Sequence, residues 1–181
     1  GAAGIAGAVA VAVFSDTVSV VIGENAELET VESTEDGNIT VTASCDNVNR
    51  VITGGISLSG TSTAVVGATI SFVKEAGRVS TSVGNGAYIN CAGSYSQSAV
   101  NSGVTEVYTA APAVGLGTET VEVAAVINVL LSEAEATSFL GTAKDGTINT
   151  AVKSAAVKAV NSKELLLIAL SPAVSGKASV Q

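Results

Sequence analysis

GATISFVKEAGRVSTSVG, from Gly67 to Gly84, is an alternating apolar run, a short polar break, and a second alternating run closed by glycine. The plan recurs upstream as GAVAVAVFSDTVSVVIG, Gly7 to Gly23, and downstream as AAVINVLLSEAEATSFLG, Ala124 to Gly141. The closing glycines Gly23, Gly84 and Gly141 lie 61 and 57 residues apart. Two shorter marks keep the same period, each offset by 60. AVNS stands at Ala99–Ser102 and Ala159–Ser162, and PAV at Pro112–Val114 and Pro172–Val174. Alternation sends successive side chains to opposite faces of a strand, and a unit repeated at fixed period buries its apolar face against its neighbours. The expectation is an all-β chain, a right-handed parallel β-helix (β-solenoid) with repeats at roughly 7–66, 67–123 and 124–181. Coils of about twenty residues would divide each repeat into about three rungs, giving a rod roughly 43 Å long at about 4.8 Å per rung. Val, Ile, Ala and Leu are then expected to stack inward, with Ser, Thr and Asn outward.

Composition supports strands and narrows the chemistry. The 181 residues include no His, Trp or Met, and only 3% are aromatic. Small and β-branched residues suit stacked, pleated strands, and glycine suits corners. The net charge of −8 argues against nucleic acid and anionic membrane surfaces as partners, because both attract basic patches. Charge is uneven: Gly1–Val73 holds eight carboxylates and one arginine, whereas Gly141–Gln181 holds five lysines and two acids. That gradient is compatible with head-to-tail packing of segments. Cys45 and Cys91 are too few for a disulfide framework and read as free, packed thiols. Gly1–Phe14 lacks the basic start and cleavage site of a signal peptide, and its apolar run is too short for a spanning helix. Both ends fall in mid-pattern, so the chain reads as a piece of a longer protein.

Turn signals at Asp36-Gly37, Gly54-Gly55, Asn85-Gly86 and Asp145-Gly146 punctuate the strands. The stretch 150–161, TAVKSAAVKAVN, fits a helix nearly as well as a strand; the repeat favours strand and turn, with a short corner helix as the competing reading. A transmembrane β-barrel shares the alternation but carries aromatic girdles that this chain lacks.

Without His there is no Ser-His-Asp or Cys-His arrangement and no common zinc site. Gly55-Ile-Ser-Leu-Ser-Gly60 fails as a nucleophile elbow, because Ser59 replaces the second glycine and no base accompanies it. Gly84-Asn-Gly86 and Gly115-Leu-Gly117 lack the third glycine of a dinucleotide loop. Arg50 and Arg78 have no evident acidic company within their own repeats, and the aromatic platforms of carbohydrate clefts are missing. The chain is therefore read as non-enzymatic and without cofactor, a polysaccharide-active β-helical enzyme being the remote alternative. Asn38-Ile-Thr40 is a glycosylation sequon of the kind a Thr-rich chain produces by chance. The densest constellation is Glu24, Glu27, Glu29, Glu32, Glu35 and Asp36. Oxygen ligands in such number suit calcium, while a solvated acidic loop that discourages edge pairing is the plainer reading.

The pattern GAVAVxV, polar break, VxxxIG and Gly/Asn-rich corner resembles the passenger repeats of large secreted bacterial surface proteins. The nearest type is the fusobacterial leukotoxin, within the wider filamentous-haemagglutinin-like and autotransporter exoproteins. Gly7–Gly23, Gly67–Gly84 and Ala124–Gly141 carry the resemblance. It implies a right-handed parallel β-helix, a secreted or cell-surface location, and a role in adhesion or toxicity, with no family site residues to carry over. The expected function is a structural segment of an adhesin or toxin, acting as rod or host-contacting surface. A discrete host-receptor or calcium-binding module is the alternative. Expected partners are a host cell surface, adjacent β-helix repeats and, through open ends, further copies of the segment itself.

Overall fold

In a computed structural model, residues 3–30, 37–60, 63–117, 120–141, 148–175 and 178–180 are described. The chain runs through five strands and then repeats the circuit. The first circuit is β1 (Ala3–Phe14), β2 (Thr17–Ile22), β3 (Glu27–Glu29), β4 (Ile39–Gly54) and β5 (Ser57–Ser59). The second is β6 (Ala64–Glu75), β7 (Arg78–Val83), β8 (Tyr88–Asn90), β9 (Ser94–Ala110) and β10 (Ala113–Gly115). The third is β11 (Val121–Ser132), β12 (Glu135–Leu140), β13 (Asn149–Ala151), β14 (Ser154–Leu170) and β15 (Ala173–Val174), after which β16 (Ala178–Val180) returns to β11.

Equivalent strands pair in parallel and form five sheets: β1-β6-β11-β16 (sheet I), β2-β7-β12 (II), β3-β8-β13 (III), β4-β9-β14 (IV) and β5-β10-β15 (V). The architecture is all-β, with parallel strands in stacked sheets, consistent with a β-helix-like fold. Both register marks lie in direct pairing: Ala99–Ser102 faces Ala159–Ser162, and Ala113-Val114 faces Ala173-Val174. The stretch from Ser154 onward is strand, and no helix occurs among the described residues.

Two expectations need correction. One sixty-residue repeat makes one layer, not three rungs, since Ala3 pairs with Ala64 and Ala64 with Val121. The described circuits therefore span only about 10 Å from first layer to third, while the 17-residue β9 extends about 55 Å across. The period alone does not tell how many corners it contains, and here strands of 12 to 17 residues fill it.

The second correction concerns facing. In sheet I the larger apolar residues point outward: Val9, Ile70 and Ile127 stack outside, as do Val11, Phe72 and Val129. The inward ladder beside them is Ala10, Ser71 and Asn128. The inward positions of sheets I and IV carry mostly small or hydrogen-bonding side chains, with Val73 and Val107 buried among them. Thr69 Oγ1 donates to the Ala110 carbonyl at 3.1 Å and Thr109 Oγ1 to Asn128 Oδ1 at 2.7 Å. The larger aliphatic core lies at the other end, where Val41, Val83, Ile89 and Tyr95 pack with Ile22, Leu28 and Leu140.

Corners preserve the ladder: the amide of Ala76 donates to the Phe14 carbonyl, and that of Glu133 to the Glu75 carbonyl. At the turn after sheet II the left-handed position is held by Asn25 (φ 55°) and, one repeat on, by Gly86 (φ 74°). Those two residue types tolerate it best.

Candidate functional site

Three of the six acidic-corner residues lie among those described. Glu24 is exposed, and Glu27 and Glu29 alternate outward on β3, where Asn90 Nδ2 donates to Glu29 Oε1 at 3.3 Å. Glu32, Glu35 and Asp36 lie outside the described residues. Among the described residues no three His, Cys, Asp or Glu side chains converge as for a metal. Ser57 is buried within β5 rather than raised on a turn, so the elbow-like run does not present a nucleophile. Cys45 and Cys91 are both free thiols.

Both arginines have acidic partners one layer away. Arg50 Nε donates to Glu106 Oε2 at 2.6 Å, and Arg78 lies 3.8 Å from Glu135. The hydrogen bond and charge of Glu106 hold the Arg50 guanidinium above its ordinary range. Sequence reading within single repeats missed these pairs, because the partners sit 56 and 57 residues on. Beside the Arg50–Glu106 pair Ile52, Tyr108, Ala110, Ile168 and Leu170 line an apolar groove of about 100 Å³. That is small against the ~300–1,000 Å³ of ordinary ligand pockets.

Two larger features stand out. The first is the outer face of sheet I, where Ile5, Val9 and Val11 are 78%, 74% and 71% exposed and Ile127 56%. Lys74, paired with Glu133 at 2.7 Å, is the one charged outward residue on β1, β6 and β11. The exposed aliphatic area is on the order of 1,000 Å², beyond the ~300–600 Å² of a typical monomer's largest patch.

The second feature is a polar column through the interior, built from all three layers. Lys163 on β14 and Glu75 at the end of β6 form an ion pair at 3.5 Å, with side chains 3% and 0% exposed. Glu75 Oε2 accepts from Asn49 Nδ2 at 2.8 Å and from Thr105 Oγ1 at 3.0 Å. Lys163 Nζ also donates to Asn47 Oδ1 in the first layer, and Asn47 Nδ2 donates to Asp16 Oδ2 at 2.6 Å. The inward residue between Asn47 and Lys163 is Gly103. Its φ is +125°, and a Cβ there would sit 1.9 Å from the Asn47 carbonyl oxygen, so only glycine leaves the way open. A signal was present in the sequence: AVNS is followed by Gly103 in one repeat and Lys163 in the next, a lysine facing a gap.

Further along, Asn101 Nδ2 donates to the carbonyls of Gly77 and Glu135. The buried Tyr95 hydroxyl donates to Gln97 Oε1 at 2.7 Å, and burial pushes its pKa up to about 12. Near sheet V, Glu122 is 0% exposed and neither carboxylate oxygen has a hydrogen-bond partner. Comparison with family models, with curated proteins and with solved structures finds no match for this chain.

Proposed function

We propose that this chain is a segment of right-handed parallel β-helix, a solenoid, with a structural role in a secreted or surface bacterial adhesin or toxin. The observation that carries the reading is the in-register return of every described strand to its own sheet. Such a stack lengthens by adding layers without a new fold. Parallel crossovers within one sheet are right-handed with few exceptions. Among the described residues, the strands of the first layer, and β12 to β15 of the third, each pair with a strand on one side only, leaving two sheet edges that further strands could join. The accessible surface of 9856 Å² for 17.7 kDa exceeds the ~7,900 Å² of a compact monomer, in keeping with open faces. Further layers of the same kind are the partners these edges suit. We assign it no catalytic role.

Scattering over a concentration series tests the reading. Particles are expected to grow along the stacking direction by whole slabs, and a strict monomer at high concentration would count against it. A second reading, a contact surface, is favoured by the outer face of sheet I. Its occupant is a second copy, because the face matches the ~800 Å² per partner of a standard interface. Val11→Glu with Ile127→Glu should then abolish face-to-face pairing while leaving end-to-end growth intact. Unchanged association in that variant would remove this reading.

A further inference from the structure

We propose that Lys163 and Asn47 become joined by an intramolecular amide bond, with Glu75 as the proton carrier. Three groups of the required chemistry meet inside the stack. Lys163 Nζ, with its side chain 3% exposed, contacts the Asn47 carboxamide through Oδ1 and lies 3.5 Å from Glu75 Oε1. Glu75 Oε1 has no hydrogen-bond partner, whereas Oε2 is held by Asn49 and Thr105. One carboxylate oxygen is thus fixed and the other is turned toward the amine. The proton carrier itself is shielded from bulk water, since Glu75 is fully buried. Holding amine and carboxamide in contact supplies the proximity that makes an otherwise slow amide exchange effective.

The step balances without any outside reagent. Lys163 passes a proton to Glu75, which replaces two buried charges by two neutral groups. The amine lone pair attacks Asn47 Cγ, forming the N–C bond and moving the carbonyl pair onto Oδ1. Glu75 takes the surplus proton from the attacking nitrogen and relays its own to Nδ2. The carbonyl reforms, the Cγ–Nδ2 bond breaks, and ammonia departs as ammonium. Nothing is oxidised or reduced: a lysine ammonium and a carboxamide become a secondary amide and an ammonium ion. The leaving nitrogen already donates to the exposed carboxylate of Asp16, which offers the ammonium ion a route to solvent. The bond would tie the first layer to the third through the gap at Gly103.

Intact-mass measurement of the purified chain tests this directly, and it is independent of where the protein resides or what it contacts. The expected mass is about 17 Da below that of the sequence, the loss of one ammonia. Tryptic digestion should yield residues 1–50 joined to 159–177, with Lys163 uncleaved. Lys163→Arg and Glu75→Gln are each expected to show the full sequence mass and slower migration on denaturing gels. The full mass for the unaltered chain, folded as judged by its β-sheet circular dichroism, would overturn the proposal. So would a loss of about 18 Da with the link on Glu75, since that is water lost from a carboxylate.

Discussion

Replacing Glu122 by valine should stabilise the protein. Glu122 is fully buried, both carboxylate oxygens lack partners, and its inward neighbour one layer away is Val65, itself fully buried. A Cβ on Gly115 would fall 1.7 Å from Glu122 Oε1, so the carboxylate presses against bare backbone. An unsatisfied buried polar group costs about 1–3 kcal/mol, and more when charged. Valine keeps the stem buried and continues the ladder begun by Val65, so a gain of about 2–4 kcal/mol is expected. For a chain of this length that raises the melting midpoint by roughly 5–12 °C. Glu122→Gln removes the charge but keeps the unmet polarity, and should recover less than half of the gain. Thermal melts by circular dichroism, with urea midpoints at constant slope, measure both. A fall in midpoint for Glu122→Val of similar size would refute the reasoning, because it would mean the carboxylate holds a partner.

Gly103→Ala should lose at least about 3 kcal/mol, from left-handed strain and from collision with the Asn47 carbonyl, read by urea unfolding. Ile89→Ala, at a fully buried position of the aliphatic core, should cost about 2–5 kcal/mol in the same assay. The Tyr95 phenol is raised from 10.0 to about 12 by burial. Its contribution is whole below pH 10 and is lost as pH climbs from there toward 12, because the unfolded chain ionises first. Tyr95→Phe should flatten that alkaline limb in midpoint-against-pH curves. Millimolar calcium should leave the midpoint unmoved; a rise that vanishes in Glu27→Ala with Glu29→Ala would restore the acidic corner as a cation site.

The repeat was legible because its register marks are short and strict. AVNS and the Ala-Val of PAV, offset by 60, pair residue for residue in sheets IV and V. Strand character at 150–161 followed from the same period, against a local pattern that also fits a helix, because parallel pairing to β9 overrides local preference. Layer count was not legible. A sixty-residue period fits three short coils or one long one, and alternation is the same in both. Facing was misjudged for a related reason: period two says that Val9 and Ala10 lie on opposite faces, but not which face is inside.

By itself the sequence determined an all-β chain, its parallel period and the absence of histidine chemistry, because alternation and composition are local properties. Only the tertiary structure decided that mostly small and polar residues, with a few valines, line the inner faces of sheets I and IV while many larger aliphatics of sheet I face out. It also decided that Lys163, Glu75 and Asn47, drawn from three layers, meet at one point. The physical reason is stacking: pairing at 56 to 61 residues brings distant side chains within a few ångströms, and the space left by one glycine selects which of them touch.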